Sequence, residues 1–345
     1  RVETKEPRRI KKKMINQRLF DHYGIDTTKN LNIKNKCPRP FDTVLIDKQG
    51  SCYACECTSW LPQSVGNLQL KSLGEIIGSD MHQHLQGSIT DGTYRFCNEH
   101  QCSYIKSGLT QWEGQPGGIQ HLRLAIDDSC NLRCPSCRKG MIFHKEGSAY
   151  NLGIRLADKI NDWLLTFHYP MQVHIGSDGD PFASHVYRHF MQHTPQRDNI
   201  RYSMLTNGLM FREFCGTVPH IINNLQELGV SIDGASKETY EKLRLGGKWN
   251  KILEGLEYMA VLKKKHHFRF NLHMVVQQEN WHEMENMLEL GHKYGVDMVY
   301  FNKIEDWNTG IDFKSQNFTQ FDEFKNIIYK VSTDPMACDN VSTST

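Results

Sequence analysis

The sequence predicts an α/β protein in which a parallel sheet with helical crossovers follows a small cysteine-rich module. Three observations carry this expectation. Six short apolar segments between residues 121 and 301 alternate with helical stretches, the rhythm of right-handed βαβ units. Six of the eleven cysteines fall between Cys37 and Cys102. A glycine-bearing break with Pro116 inside it, Gly114–Gly118, separates the two regions. A length of 345 residues accommodates one large barrel with a small module, or two ordinary domains.

Taken in order, residues 1–35 form a basic leader or linker. Its first twenty positions carry Arg1, Lys5, Arg8, Arg9, Lys11, Lys12, Lys13 and Arg18 against Glu3 and Glu6. No base-reading motif accompanies that charge, so a solvated segment is the expectation. The start at Arg1 reads as a processed chain or a part of a longer one. Residues 36–112 are the cysteine-bearing module, with a short strand at Thr43–Asp47 turned by Gly50 and a helix over Leu70–Ile77. Residues 119–310 hold the repeating units. Their strands are His121–Ile126, Met171–Ile175, Arg201–Leu205, Gly229–Ile232, Phe268–Val276 and Met298–Phe301. Helices are expected at 153–167, 184–193, 212–226, 237–245, 248–264 and 280–294. Six units are too few for the usual eight-fold barrel, and an open doubly wound sheet competes with a shorter barrel. Residues 311–345 supply a last helix at 318–331 and a polar, loose tail from Ser332. The helix carries a packing stripe of Phe318, Phe321, Phe324, Ile327, Ile328 and Val331.

Composition narrows the function. Apolar residues at 39% and charged residues at 23% permit a buried core. A net charge of +2 excludes both a strongly cationic nucleic-acid coat and an acidic solvating tail. No run of 18 apolar residues offers a membrane span, and no signal peptide opens the chain. Clustered cysteines without a secretory signal read as metal or cluster ligands in a reducing, cytoplasmic setting.

The chemistry concentrates directly after the first sheet strand, in Asp127-Asp128-Ser129-Cys130-Asn131-Leu132-Arg133-Cys134-Pro135-Ser136-Cys137. Cys130, Cys134 and Cys137 occupy a strand-to-helix loop, the end of an α/β barrel where active sites form. Three thiolates are one too few for a closed four-iron cluster or a closed zinc site, so an iron would stay open to a substrate or cosubstrate. Zinc with His144 as a fourth ligand is the competing reading.

This loop resembles the signature of radical S-adenosylmethionine (radical SAM) enzymes, and later segments agree with it in order. His174-Ile175-Gly176-Ser177-Asp178-Gly179-Asp180-Pro181 ends the second strand, where the family has Gly-Gly-Glu-Pro. Thr206-Asn207-Gly208 follows the third strand. Ser231-Ile232-Asp233-Gly234 ends the fourth, with Arg244 downstream. The resemblance spans about 121–305 and implies a partial (β/α)6 TIM-like barrel. It further implies that Cys130, Cys134 and Cys137 hold a [4Fe-4S] cluster chelated by S-adenosylmethionine. One electron would then release methionine and a 5′-deoxyadenosyl radical that abstracts hydrogen from substrate. Under the same resemblance Ser177, Asp178, Gly179 and Asp180 offer backbone carbonyls to the methionine amino group. Ser231 bonds the ribose or carboxylate, and Arg244 pairs with the carboxylate. Two departures stand out: Ser136 replaces the usual aromatic before the third cysteine, and Asp178 and Asp180 replace Gly and Glu.

Residues 37–104 resemble the SPASM or twitch auxiliary-cluster domain that accompanies many radical SAM enzymes. The shared features are Cys37-Pro38-Arg39-Pro40, Asp47 with Gly50, the Cys52/Cys55/Cys57 group, Gly66-Asn67-Leu68, and Cys97 with Cys102. The implied auxiliary [4Fe-4S] cluster takes Cys37, Cys55, Cys97 and Cys102. Cys52 or Cys57 serve as substitutes or as ligands of a second, open cluster, and zinc is the alternative metal. In the relatives this module follows the barrel, whereas here it precedes it.

Other constellations read as structural. His82, His84, His266 and His267 suit surface or capping roles, Cys215 a buried thiol, and Gly246-Gly247 a helix-ending turn. No Walker loop and no dinucleotide fingerprint occur. The expected function is therefore a radical SAM enzyme acting on a peptide or protein side chain, giving a crosslink, oxidation or epimerisation. Its electrons would come from a low-potential donor such as flavodoxin or ferredoxin. The alternatives are dehydrogenation or rearrangement of a carbohydrate-type small molecule, and a non-catalytic cysteine-rich binding module whose leader contacts RNA or a partner.

Overall fold

The structure, a computed structural model, describes residues 26, 28–108, 117–305, 311–312 and 315–341. Most of the basic leader, the Gly114–Pro116 part of the break and the last four residues lie outside the described residues. The chain divides into two compact units, one up to Arg123 and one from Leu124.

The first unit is built on a three-stranded antiparallel sheet. Strands β1 (Thr43–Asp47) and β2 (Ser51–Tyr53) pair Leu45 with Tyr53 and Ile46 with Cys52. The turn between them forms because the Asp47 carboxylate accepts the N–H groups of Gln49 and Ser51, at 2.9 and 2.8 Å. Gly50 takes the left-handed conformation the turn needs, at φ 79°. Strand β3 (Ser64–Asn67) pairs with β2. A helix at Leu73–Ile77 starts later than residue 70 because Ser72 and Glu75 form a capping box, leaving Leu70 outside and exposed. A second helix, Asp80–Thr90, was not expected as such; it opens on Ser79 and carries His82 and His84. His82 is buried, with ring nitrogens against the carbonyls of Ile77 and Pro40, so it serves the fold.

In the second unit six strands run side by side in chain order: β4 (His121–Ala125, which begins before the boundary), β5 (Met171–Ile175), β6 (Ile200–Thr206), β7 (Leu225–Ser231), β8 (Arg269–Val276) and β9 (Met298–Lys303). From β5 to β9 every pairing is parallel. Helices intervene at Gly147–Thr166, His185–His193, Lys237–Leu243, Trp249–His266 and Met284–Tyr294. The helix expected at 212–226 breaks into Phe211–Phe214 and Pro219–Asn223. Gly216 and Pro219 interrupt it, and Leu225 already belongs to β7. The polar tail is not loose throughout: Ala337–Asp339 forms β10, parallel to β9. Phe318, Phe324 and Val331 are buried, in keeping with a packing stripe.

Side-chain alternation identifies the architecture. Val173, Met204, Val230, Leu272 and Phe301 form a fully buried apolar face. The opposite face presents His174, Ser203, Glu227, Asn271, His273 and Tyr300. A doubly wound sheet buries apolar side chains on both faces. One apolar and one polar face fits a sheet curled around a lumen, so the partial TIM-type barrel is the fold. Among the described residues no helix is long and apolar enough to cross a membrane.

Candidate functional site

The loop after β4 is fastened at several points before its cysteines come into play. Cys130 N–H donates to the Ile142 carbonyl at 2.8 Å. Arg133 N–H donates to the Leu245 carbonyl at 3.1 Å, seating the loop on the turn that follows Arg244. The N–H groups of Cys137 and Arg138 both turn back to the Cys134 carbonyl, at 2.9 and 3.0 Å. Cys130 and Cys134 end up buried and Cys137 exposed.

Each of the three sulfurs faces one N–H donor. Asn207 Nδ2 lies 3.6 Å from Cys130 Sγ, Arg244 Nη1 3.7 Å from Cys134 Sγ, and Arg138 Nη2 3.5 Å from Cys137 Sγ. Burial, aided by the Asp180 charge, pushes the Cys130 thiol up to about 11. Burial also raises Cys134, while Arg244 pulls the other way. Loading a metal therefore means displacing protons from sulfurs whose thiolate form already has donors waiting. A single zinc ion, with Zn–S bonds near 2.3 Å, needs its thiolates only about 3.8 Å apart. Among the described residues the sole trio of ligand atoms lying within 4.8 Å of one another is Asp127, Asp128 and His144. Cys130, Cys134 and Cys137 are not such a trio. His144 Nε2 lies 2.9 Å from Asp128 Oδ1, which leaves its Nδ1 as the ring nitrogen a metal would need. The donor set suits a multi-iron cluster.

The loop after β5 packs against this one. Gly179, at φ 68°, lies so close that a Cβ would sit 2.6 Å from the Ser129 carbonyl oxygen and 2.8 Å from that of Asp127. Ser177 N–H donates to the Leu124 carbonyl and Asp180 N–H to that of Ser129. The Asp180 side chain, 1% exposed, accepts from Phe182 and Ala183 N–H through Oδ1, and from Thr206 Oγ1–H and Asn207 N–H through Oδ2. Its carbonyl accepts from Ser184 N–H. Asp180 thus joins the loops after β5 and β6, and its carbonyl is already engaged. Asp178 Oδ1 accepts from Gly179 N–H at 3.0 Å.

At the end of β7, Ser231 stands in register with His273. Asp233, 1% exposed, pairs with Arg244 Nε at 2.9 Å and accepts from Val275 N–H. Arg244 follows the helix Lys237–Leu243, and its Nη1 faces Cys134 while its charge pairs with Asp233. Gly246, at φ 101°, lets the chain turn under Leu132 and Asn131.

Several residues here escape a reading of the sequence. Arg138 directly follows Cys137, and only the basic residue beside a metal-type motif signals it. His273 and Tyr300 stack at 4.6 Å between ring centroids, 15° from parallel. Gly229 makes room for them, since a Cβ there would lie 2.8 Å from His273 Nε2. Burial and the Arg244 charge push His273 down to about 4. Their signal was a polar side chain on the alternating face of an otherwise apolar strand.

In the first unit Cys37, Cys55, Cys97 and Cys102 line one small cavity with Trp60 and Tyr94. Burial raises all four thiols, Cys37 to about 11 and Cys55 to about 12. Cys52 is not among them; it is buried apart, its thiol toward the Gly50 carbonyl at 3.7 Å. Cys57 is half-buried, bonded to Ser59 and within electrostatic reach of Cys102.

Residues 126–291 match the model of the radical SAM superfamily. GTP 3′,8-cyclase of Synechocystis sp. is 23% identical over 183 residues, 53% of this chain and 53% of that protein. The probable GTP 3′,8-cyclase of Archaeoglobus fulgidus is 27% identical over 141 residues, 40% of this chain and 44% of that one. The chain spans about half the length of the curated relatives it matches. Among solved structures, Streptococcus suis SuiB bound to precursor peptide SuiA aligns with a TM-score of 0.43 at 10% identity, covering 64% of this chain and 48% of that one. The enzyme anSMEcpe with bound AdoMet aligns at 0.36 and 18% identity, over 54% and 51%. Residues 126–291 are a radical SAM domain, of a superfamily whose enzymes bind a [4Fe-4S] cluster and S-adenosylmethionine.

Proposed function

We propose that this protein reductively cleaves S-adenosylmethionine and uses the resulting radical to take a hydrogen atom from substrate. The observation that carries the reading is the set of three cysteines after β4, each facing an N–H donor. Cys130, Cys134 and Cys137 would hold the cluster. When bound, it supplies the electron that splits S-adenosylmethionine into methionine and a 5′-deoxyadenosyl radical. Ser177, Asp178 and Gly179 would meet the methionine end through their backbone, while Asp180 holds their loop. Ser231 and the free N–H groups of Arg244 would face the ribose or carboxylate. The polar face with His273 and Tyr300 would line the substrate space and hold the substrate by hydrogen bonds.

Cys37, Cys55, Cys97 and Cys102 would ligate an auxiliary [4Fe-4S] cluster, with Cys57 as the neighbouring alternative. That module favours a peptide or protein substrate, with a cytoplasmic low-potential donor such as flavodoxin or ferredoxin. A second reading, a purine nucleotide substrate, is favoured by relatives named GTP 3′,8-cyclase. Anaerobically reconstituted protein with dithionite should convert S-adenosylmethionine to 5′-deoxyadenosine, and the Cys130→Ala/Cys134→Ala/Cys137→Ala variant should not. Product from the triple variant, or none from the parent, overturns the proposal. Stimulation of turnover by GTP would select the nucleotide reading.

A further inference from the structure

Arg138 stands beside the three-cysteine loop with no part in the ligand set, and the way it is held suggests a task. Its Nη1 donates to the Asp128 main-chain carbonyl at 2.6 Å, fixing the guanidinium against the loop's own backbone. Its Nη2 faces Cys137 Sγ at 3.5 Å. The same cation lies within electrostatic reach of the Cys130 sulfur and the Asp178 carboxylate. The other cation at the site is differently placed. Arg244 touches Cys134 and is also paired with the buried Asp233 carboxylate. Arg138 is anchored by a main-chain carbonyl, and the Cys137 and Cys130 sulfurs and the Asp178 carboxylate all lie within reach of its charge.

We propose that Arg138 is a positioning residue that sets the reduction potential of the cluster held by Cys130, Cys134 and Cys137; this rests on the cluster assignment made above. Accepting one electron makes the cluster and its thiolates one unit more negative. A cation fixed beside the Cys137 sulfur and within electrostatic reach of Cys130 stabilises that reduced form over the oxidised one and raises the potential. Charge-assisted N–H···S contacts work in the same direction.

The test uses the full chain, reconstituted anaerobically and titrated with dithionite through mediators while the cluster's paramagnetic signal is followed. The signal that changes on adding S-adenosylmethionine identifies the barrel cluster. Arg138→Gln keeps an N–H donor for the Asp128 carbonyl and removes the charge. It should lower the one-electron reduction equilibrium about tenfold, equivalent to 59 mV. Arg138→Lys keeps the charge and should return most of that shift. Iron and sulfide content should be unchanged in both. An unshifted potential in Arg138→Gln at full iron content overturns the proposal, as do equal shifts in both variants. Loss of iron from Arg138→Gln overturns it too, because the residue would then hold the loop rather than tune it. A parent protein that loads iron but gives no signal responsive to S-adenosylmethionine removes the underlying cluster assignment instead.

Discussion

Replacing Asp180 by alanine removes the acceptor for four buried donors: the N–H groups of Phe182, Ala183 and Asn207 and the hydroxyl of Thr206, at 2.8 to 3.0 Å. Each buried donor left unpaired costs about 1–3 kcal/mol. Even the low end predicts a loss of about 4 kcal/mol, a large share of the 5–15 kcal/mol typical of a whole domain. Asp180→Asn is graded differently. Its amide oxygen still serves one pair of donors, while its NH2 meets the Asn207 N–H, which cannot accept. About 2 kcal/mol is then lost. Because the chain has two compact units, a single global transition is a poor readout. Amide hydrogen exchange of Phe182, Ala183 and Asn207 reads the site directly and should accelerate on the order of a thousandfold in the alanine variant. The asparagine variant should fall between. Exchange within about fivefold of the parent, corresponding to less than ~1 kcal/mol, would refute the role assigned to this carboxylate.

Gly179→Ala forces a Cβ against two main-chain carbonyls at a left-handed φ, so the cluster loop must shift. Iron bound per chain should drop by about half while the first unit keeps its share, measured by iron assay. For Glu283, burial raises the carboxyl pKa, but four bonds from Ala235, Ser236 and Thr239 outweigh it and hold it below its ordinary 4.5. The stability it contributes is complete above pH 4.5 and is lost as the pH falls through the lowered folded value. Glu283→Gln should flatten that acid limb in thermal unfolding scans. His273, pushed down to about 4, should stay neutral from pH 8 to pH 5; imidazole nitrogen shifts that titrate near 6.5 would contradict its placement. In the first unit, Cys55→Ser should lose the auxiliary iron and Cys52→Ser should keep it, since only Cys55 faces the shared cavity.

The strands of the second unit were legible because each is an apolar run bounded by turn residues, and their ends agree within a few positions. Helix 212–226 was not, because periodicity ran straight across Gly216 and Pro219. β10 escaped notice because three polar-flanked residues leave no pattern; its partner β9 supplies the reason for it. Within the site, the cysteines and the Asp178–Asp180 loop could be read from spacing and resemblance. Arg138, Asn207 and Asp233 act through contacts between residues far apart or in tight turns, which spacing does not encode. The role of Asp180 was also hidden. Resemblance pointed to its backbone, whereas its carboxylate carries the loop.

The Asp180 carboxylate accepts two N–H groups of its own turn and two donors of the next loop, and so holds the two loops close together. Glycines permit that approach. Gly176, at φ 92°, leaves space beside Pro181 and the Leu205 carbonyl, and Gly179 lies flat on the Asp127–Ser129 backbone. From there the links run onward: Asp180 to Asn207, Asn207 to Cys130 and Asn131, Arg133 to Leu245, and Arg244 to Cys134. Two later strand-end loops and the turn after the helix Lys237–Leu243 therefore grip the cysteine loop, each through a different hydrogen bond. This is why the motifs occur in the order they do along the chain: parallel strands deliver their ends to the same rim, and each end supplies one hold on the loop that carries the thiols.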